Sequence, residues 1–187
     1  MSHRLSAHGL RLAASGLLLG IACWLGLGCG QKDGIKVKMD PPPSQVIDEF
    51  RLTETINGRV FYDLSAERAY VYDDSHRIDV TGPQVRFYDE EHKLTSVLVA
   101  ERGSVNTKTS DLVARNKVRV ENQDSTILET DSLVWRNKEQ IVTTDAAVNM
   151  RSPKGDVSGI GLVSDAGLKR IEIKKTVQAT TKYEFPK

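Results

Sequence analysis

From Phe50 onward the chain alternates apolar and polar residues with a period of two. In Val60–Ala66 this puts Tyr62, Leu64 and Ala66 on one side, and Val118-Arg119-Val120-Glu121 and Ile171-Glu172-Ile173-Lys174 alternate apolar with charged. Side chains of a strand point to opposite faces in turn, so this period predicts half-buried β-strands. Polar turn clusters separate them: Tyr72–His76, Thr81-Gly82-Pro83, Asp89–Lys93, Asn122–Asp124, Arg136–Glu139 and Ser152–Asp156. After the N-terminal apolar run no stretch carries a sustained helical period. Ser44–Arg51 alone reads as a short helical turn.

The strands also repeat. Leu64-Ser65-Ala66-Glu67-Arg68-Ala69, Leu98-Val99-Ala100-Glu101-Arg102-Gly103, Leu128-Glu129-Thr130-Asp131-Ser132-Leu133 and Leu162-Val163-Ser164-Asp165-Ala166-Gly167 open four similar units. A second strand follows each at Ile78, Leu112, Ile141 or Ile171, and a third at Val85, Val118, Val148 or Val177. A degenerate period of about 30 residues is the mark of stacked units, each burying its apolar face only against its neighbours. The pattern predicts an all-β, twisted antiparallel sheet pair with a continuous apolar seam.

The N-terminal end differs in kind. Leu12–Gly30 carries no charge over 19 residues and follows a leader holding Arg4 and Arg11 but no acid. As a helix it spans roughly 28 Å, close to a bilayer's hydrocarbon core. A basic segment before an apolar run is also how a secretory signal begins. Two readings stay open: an uncleaved signal-anchor, or a lipoprotein signal in which Leu25-Gly26-Leu27-Gly28-Cys29 is the cleavage box and Cys29 is acylated. Trp24 marks the outer interface of this segment. Lys32, Lys36 and Lys38 beyond it blur the charge signal for orientation. Pro41-Pro42-Pro43 then favours a stiff extended spacer, a tether between membrane and domain. The organisation expected is a membrane segment over 1–30, a tether over 31–49 and a β-domain over 50–182.

Composition sharpens this picture. The net charge of +1 argues against a nucleic-acid binder held by a basic field. Both cysteines, Cys23 and Cys29, lie in the N-terminal segment, so the folded part has neither thiol nor disulfide. Catalytic signals are weak. Asp73-Asp74-Ser75-His76 is a polar turn, and nucleophilic catalysis needs convergence in space rather than adjacency. His76 and His92 both fall in turns and make poor metal ligands. Gly155–Gly161 is glycine-rich but lacks the Lys-Ser/Thr of a phosphate loop, so a strand bend or bulge is expected there. Neither enzyme chemistry nor a cofactor is expected.

The four units, the single apolar segment and the chain length together resemble the LptC family of membrane-anchored periplasmic lipopolysaccharide-export proteins. The stretches carrying the resemblance are Leu64–Tyr72, Gly82–Asp89, Leu128–Leu133 with Val142–Val148, and Gly159–Asp165 followed by Lys174–Ala179. The resemblance implies a β-jelly-roll shaped as an open, twisted β-clasp whose interior receives acyl chains. It implies as partners an inner-membrane ABC transporter complex of permease and ATPase and a periplasmic bridge protein of the same fold. It places the domain in the periplasm, anchored at the inner membrane.

On that basis the apolar phase of each strand supplies the groove candidates. From the first two units these are Leu64, Ala66, Ile78, Val80, Val85 and Phe87, then Leu98, Ala100, Leu112, Val118 and Val120. The last two units contribute Leu128, Ile141 and Val148, then Leu162, Ile171 and Val177. Small Ala66, Ala100, Ala114 and Ala147 would leave width for a chain, and Trp135 is either core or groove wall. The terminal strand, through Thr176, Val177, Gln178, Ala179 and Thr180, is the expected pairing edge for the bridge protein. The competing reading is a scaffold lipoprotein with a dry core that joins envelope proteins and carries no lipid.

Overall fold

The computed structural model describes residues 41–181, together with every side chain in that range except those of Val177 and Thr181. The apolar run Leu12–Gly30, with Trp24 and Cys29, lies outside the described residues. Eleven strands make up what is described: β1 (Gln45–Ile56), β2 (Arg59–Tyr72), β3 (Arg77–Thr81), β4 (Gln84–Tyr88), β5 (Leu94–Val99) and β6 (Arg102–Asn106), then β7 (Leu112–Asn122), β8 (Ile127–Arg136), β9 (Ile141–Ser152), β10 (Gly155–Asp165) and β11 (Ile171–Thr181). Each pairing is antiparallel, in the order β11-β10-β9-β8-β7-β5-β4-β2-β3-β6, with β1 added on β2. The class is all-β, and a jelly-roll fits it. Among the described residues no helix is long and apolar enough to cross a membrane.

The helical turn expected over Ser44–Arg51 is absent. β1 begins at Gln45 and pairs with β2 from Gln45↔Val71 onward. The reason is tertiary: β2 offers a free ladder edge, and β-branched Val46 and Ile47 suit an extended backbone better than a helix. Glu49, at φ 53°, interrupts that ladder between Asp48↔Arg68 and Phe50↔Ala66, and its register slips once more between Glu54 and Thr55.

Two strands change partner at mid-length. β2 pairs with β4 up to Ser65↔Gln84 and with β3 from Arg68↔Thr81. β7 pairs with β6 up to Arg102↔Arg115 and with β5 from Val99↔Arg119. At the switch in β7, Asn116 and Lys117 both take left-handed backbone (φ 63° and 50°), bulging the strand between Arg115 and Val118. Such a bulge bends its strand sharply. Register also slips in the β8–β9 ladder between Thr130 and Val134, and in the β9–β10 ladder between Ile160 and Leu162 beside left-handed Gly161 (φ 75°). The bulge expected within Gly155–Gly161 is therefore present. These irregularities lie along one line across the sheet, a crease at which it doubles over into two facing layers.

The inner faces of the layers form the core. Leu64, Val85, Phe87, Leu98, Val120 and Leu128 come from one layer, and Val80, Val105, Leu112, Leu133, Val142 and Leu162 from the other. The leucines opening the four repeat units are all buried. Three units place an acid three residues later at the crease, at Glu67, Glu101 and Asp131. In the fourth, Asp165 instead ends β10 at the opposite side, so the last unit departs from the others in space. Lys117 Nζ meets Glu101 Oε1 at 2.5 Å, and Lys174 Nζ meets Asp145 Oδ1 at 2.6 Å. The Lys174 ammonium holds the Asp145 carboxyl below its usual range. Exposed pairs of this kind contribute little to stability.

Candidate functional site

Opposite the crease, the turns of the two layers face each other and leave a mouth between them. The β8–β9 and β10–β11 turns come from one layer, and the start of β2 and the β4–β5 turn from the other. The cleft they enclose has a volume of about 790 Å³. Its apolar floor is formed by Phe61, Trp135, Ile141 and Ile171. Strand geometry places the rings: Phe61 lies near the start of β2 and Trp135 near the end of β8, so doubling the sheet stacks them at 6.0 Å between centroids. Phe87 of β4 meets Trp135 at 5.0 Å and Tyr62 at 6.0 Å, in tilted arrangements. Such pairs add to the free energy of simple burial.

The rim is charged and mainly acidic. Asp89, Glu90, Glu139, Asp165 and Glu172 line it with Lys169 and Arg170, and Arg170 Nε reaches Asp165 Oδ2 at 3.4 Å. The cleft thus sets an apolar floor beneath a charged rim. Among the described residues no three His, Cys, Asp or Glu side chains stand where they would hold a metal ion. His92 stacks on Tyr88 at 5.0 Å, and Ser75 Oγ lies 3.4 Å from the Tyr72 carbonyl, to which it donates.

Each flank of the mouth is held by hydrogen bonds between layers. On one flank the buried Tyr62 hydroxyl donates to the Ser110 carbonyl at 3.2 Å, and Asn137 Nδ2 donates to Glu54 Oε1 at 3.3 Å. Burial pushes the Tyr62 phenol well above its ordinary pKa, and the Glu54 and Asp111 carboxylates push it the same way. It stays protonated and remains a donor. On the other flank Ser96 Oγ of β5 donates to the Ala166 carbonyl at 2.5 Å. Asn122 Nδ2 of β7 donates to the Gly167 carbonyl at 2.9 Å, and Asn122 Oδ1 accepts from Thr126 N.

Behind the floor the core is full. The apolar gap bounded by Leu64, Val80, Val85, Phe87, Leu98 and Trp135 measures about 20 Å³, room for about one water molecule. Trp135 lines both this gap and the mouth.

Most inward positions expected from the alternation lie in this core: Leu64, Ala66, Ile78, Val80, Val85, Phe87, Leu98, Leu112, Val118, Val120, Leu128, Val148 and Leu162 are buried. Ala100 is half-buried against them. Ile141 and Ile171, also half-buried, stand at the mouth instead, and Val142 takes the core position beside Ile141. Ala147 is exposed, contrary to its expected inward placement, because the inner phase of β9 runs through Val142, Thr144 and Val148 and leaves it on the outer one. Trp135 is core and mouth wall at once. Thr176, Gln178, Ala179 and Thr180 are exposed on β11, which among the described strands pairs only with β10; the side chain of Val177 lies outside the description. The alternation did not single out Phe61, Ser96 or Asn122. A signal for the last two was present: Ser96 shares its phase with Leu98, and Asn122 shares its phase with Val118 and Val120, so each is a polar residue on an apolar face.

A family model described as lipopolysaccharide-assembly, LptC-related, matches residues 16–184. The chain belongs to the LptC family. No curated protein matches it. The match covers the described strands and most of the N-terminal apolar run. Membership in the LptC family carries a role in lipopolysaccharide transport across the envelope, a role generally without enzymatic chemistry.

Proposed function

We propose that this domain takes lipopolysaccharide acyl chains between its two layers. It receives the lipid from an ATP-driven permease complex in the inner membrane and hands it to a periplasmic bridge protein of the same fold, which pairs along the outer edge of β11. The domain is held at the membrane by the segment ending near Cys29. The observation carrying this reading is the mouth of about 790 Å³, with Phe61, Trp135, Ile141 and Ile171 as its floor, leading directly to the apolar core.

The energetics require such a surface. Each buried methylene is worth about 0.8 kcal/mol, so exposing an acyl chain of about a dozen carbons to water costs roughly 10 kcal/mol. A floor between two layers offsets that cost without chemistry, and the edge of β11 that no described strand covers suits strand addition. Energy for directional movement then comes from the partner ATPase.

A second reading draws on the filled core. With a gap of about 20 Å³, the domain as described is also what a dry scaffold would look like. Photo-crosslinkers at Phe61 and Leu98, in membranes containing the transporter, separate the two. Lipopolysaccharide adducts that depend on ATP turnover support carriage; none at either position under turnover overturns it in favour of the scaffold. Mass spectrometry of the mature N-terminus decides between acylated Cys29 and a retained anchor helix.

A further inference from the structure

The mouth is wide and the core behind it is closed, so an apolar chain reaches the interior only if the layers part. The β10–β11 turn is built to let them. We propose that this turn, Asp165–Arg170, is a latch: it holds the layers together when the domain is empty and is released as a unit when a long apolar chain enters. What enters rests on the acyl-chain reading above; the latch itself does not.

The turn keeps its own shape. Asp165 accepts the Leu168 amide on its carbonyl at 3.1 Å and the Lys169 amide on Oδ1 at 2.8 Å. These bonds survive if the turn moves. The bonds to the opposite layer are of another kind. The Ala166 and Gly167 carbonyls are received by two side chains, Ser96 and Asn122, rather than by a strand ladder. Both donors are themselves buried, so they anchor the turn while it is docked. Rotating them away frees it without breaking backbone pairing in either layer.

Leu168 supplies the other half of the device. Its side chain is buried although its backbone sits in the left-handed region at φ 52°, unfavourable for a leucine. The turn's own bonds hold that backbone whether it is docked or released, so what docking adds is the burial of the Leu168 side chain, an apolar anchor beside the two hydrogen bonds. On the far side of the turn lies a second cleft of about 580 Å³, bounded by Leu168, Met150 and Asn122. Lys169 and Ile171 line both clefts, so lifting the turn merges them into one passage. The turn also leads directly into β11, so a partner strand on that edge acts on the same latch.

Thr95 and Gly167 give the test. A Cβ built on Gly167 falls 3.6 Å from the Thr95 Cβ, a spacing a disulfide spans. The full chain carrying T95C and G167C, in phospholipid nanodiscs with a diazirine side chain at Leu98, is exposed to lipopolysaccharide in its oxidised and reduced forms. The single variant T95C subtracts any pairing with Cys23 or Cys29. Adducts are expected to fall about tenfold on oxidation, as a locked minor state would require, and to return with dithiothreitol. Equal adducts in both forms, with the disulfide confirmed by mass, overturn the latch. Adducts in neither form overturn the acyl-chain reading instead, and the latch is then decided without lipid. Spin labels at Glu91 and Lys169 in full-length protein should shift to longer distances when S96A and N122A are combined. An unchanged distribution overturns the latch.

Discussion

The crease and the mouth hold the same two layers together by opposite means. At the crease, continuous backbone does the joining: β2 and β7 run through it and swap partners there, while exposed charges such as Lys117 and Glu101 decorate its outside. At the mouth no strand crosses. The layers meet through the rings of Phe61, Phe87 and Trp135 and through single hydrogen bonds from Tyr62, Ser96 and Asn122. A joint made of backbone tolerates changes in its exposed side chains and fixes an angle. A joint made of side chains depends on each of them and is the one free to open.

The contrast has consequences that can be measured, beginning with the strongest. Trp135→Ala removes the residue shared by floor and core, and urea unfolding should show a loss of about 3–5 kcal/mol. A loss under about 1 kcal/mol would mean the mouth contributes little to holding the layers. At the crease the sensitive point is backbone rather than side chain. A Cβ at Gly159 would sit within contact of Ile173 Cγ2 and 2.6 Å from the Lys175 carbonyl. Gly159→Val should therefore cost about 1–3 kcal/mol by overpacking. The damage should appear in hydrogen exchange as lost protection along the β10–β11 ladder, with β2–β4 unchanged.

Tyr62→Phe deletes one bond of the mouth and should cost about 1 kcal/mol at neutral pH. It should also change the alkaline limb. The unfolded phenol ionises near pH 10, whereas burial keeps the folded one protonated beyond that. Above pH 10 the unfolded state therefore binds fewer protons, and stability falls as pH rises. The contribution is fully present below pH 10, and the Phe variant should decline less steeply above it. Last, Lys117→Met at the crease should leave the unfolding midpoint unaltered, because an exposed pair is screened by water. A clear drop would mean that charge, and not backbone alone, sets the angle between the layers.

Alternation made the strands legible, because Val118, Val120, Leu128 and Leu162 each keep their phase to the core. It failed in β9, where apolar residues stand in both phases: Val142 and Val148 share the inner one, leaving Ile141 at the mouth and Ala147 exposed. Ser44–Arg51 misled for another reason: its conformation is decided by the edge of β2, which no local pattern reports. The rings of the mouth were visible as residues but not as a cluster, since Phe61 and Trp135 come together only when the sheet doubles over. Ser96 and Asn122 were legible in principle, as polar residues in an apolar phase. What they hold, two carbonyls of a turn far along the chain, was not.

The partner switch in β7 also bears on how the chain reaches this state. From β7 to β11 each strand follows its neighbour through a short turn, so this half assembles as a zipper of local contacts. The other half is a ring: β2, β4 and β5 reach β7 by one route, and β3 and β6 reach it by another. Neither route closes until β7 is in position. Because distant pairings carry loop-closure entropy, the β2–β4, β3–β6 and β5–β7 ladders should form more slowly than the successive hairpins from β7 onward.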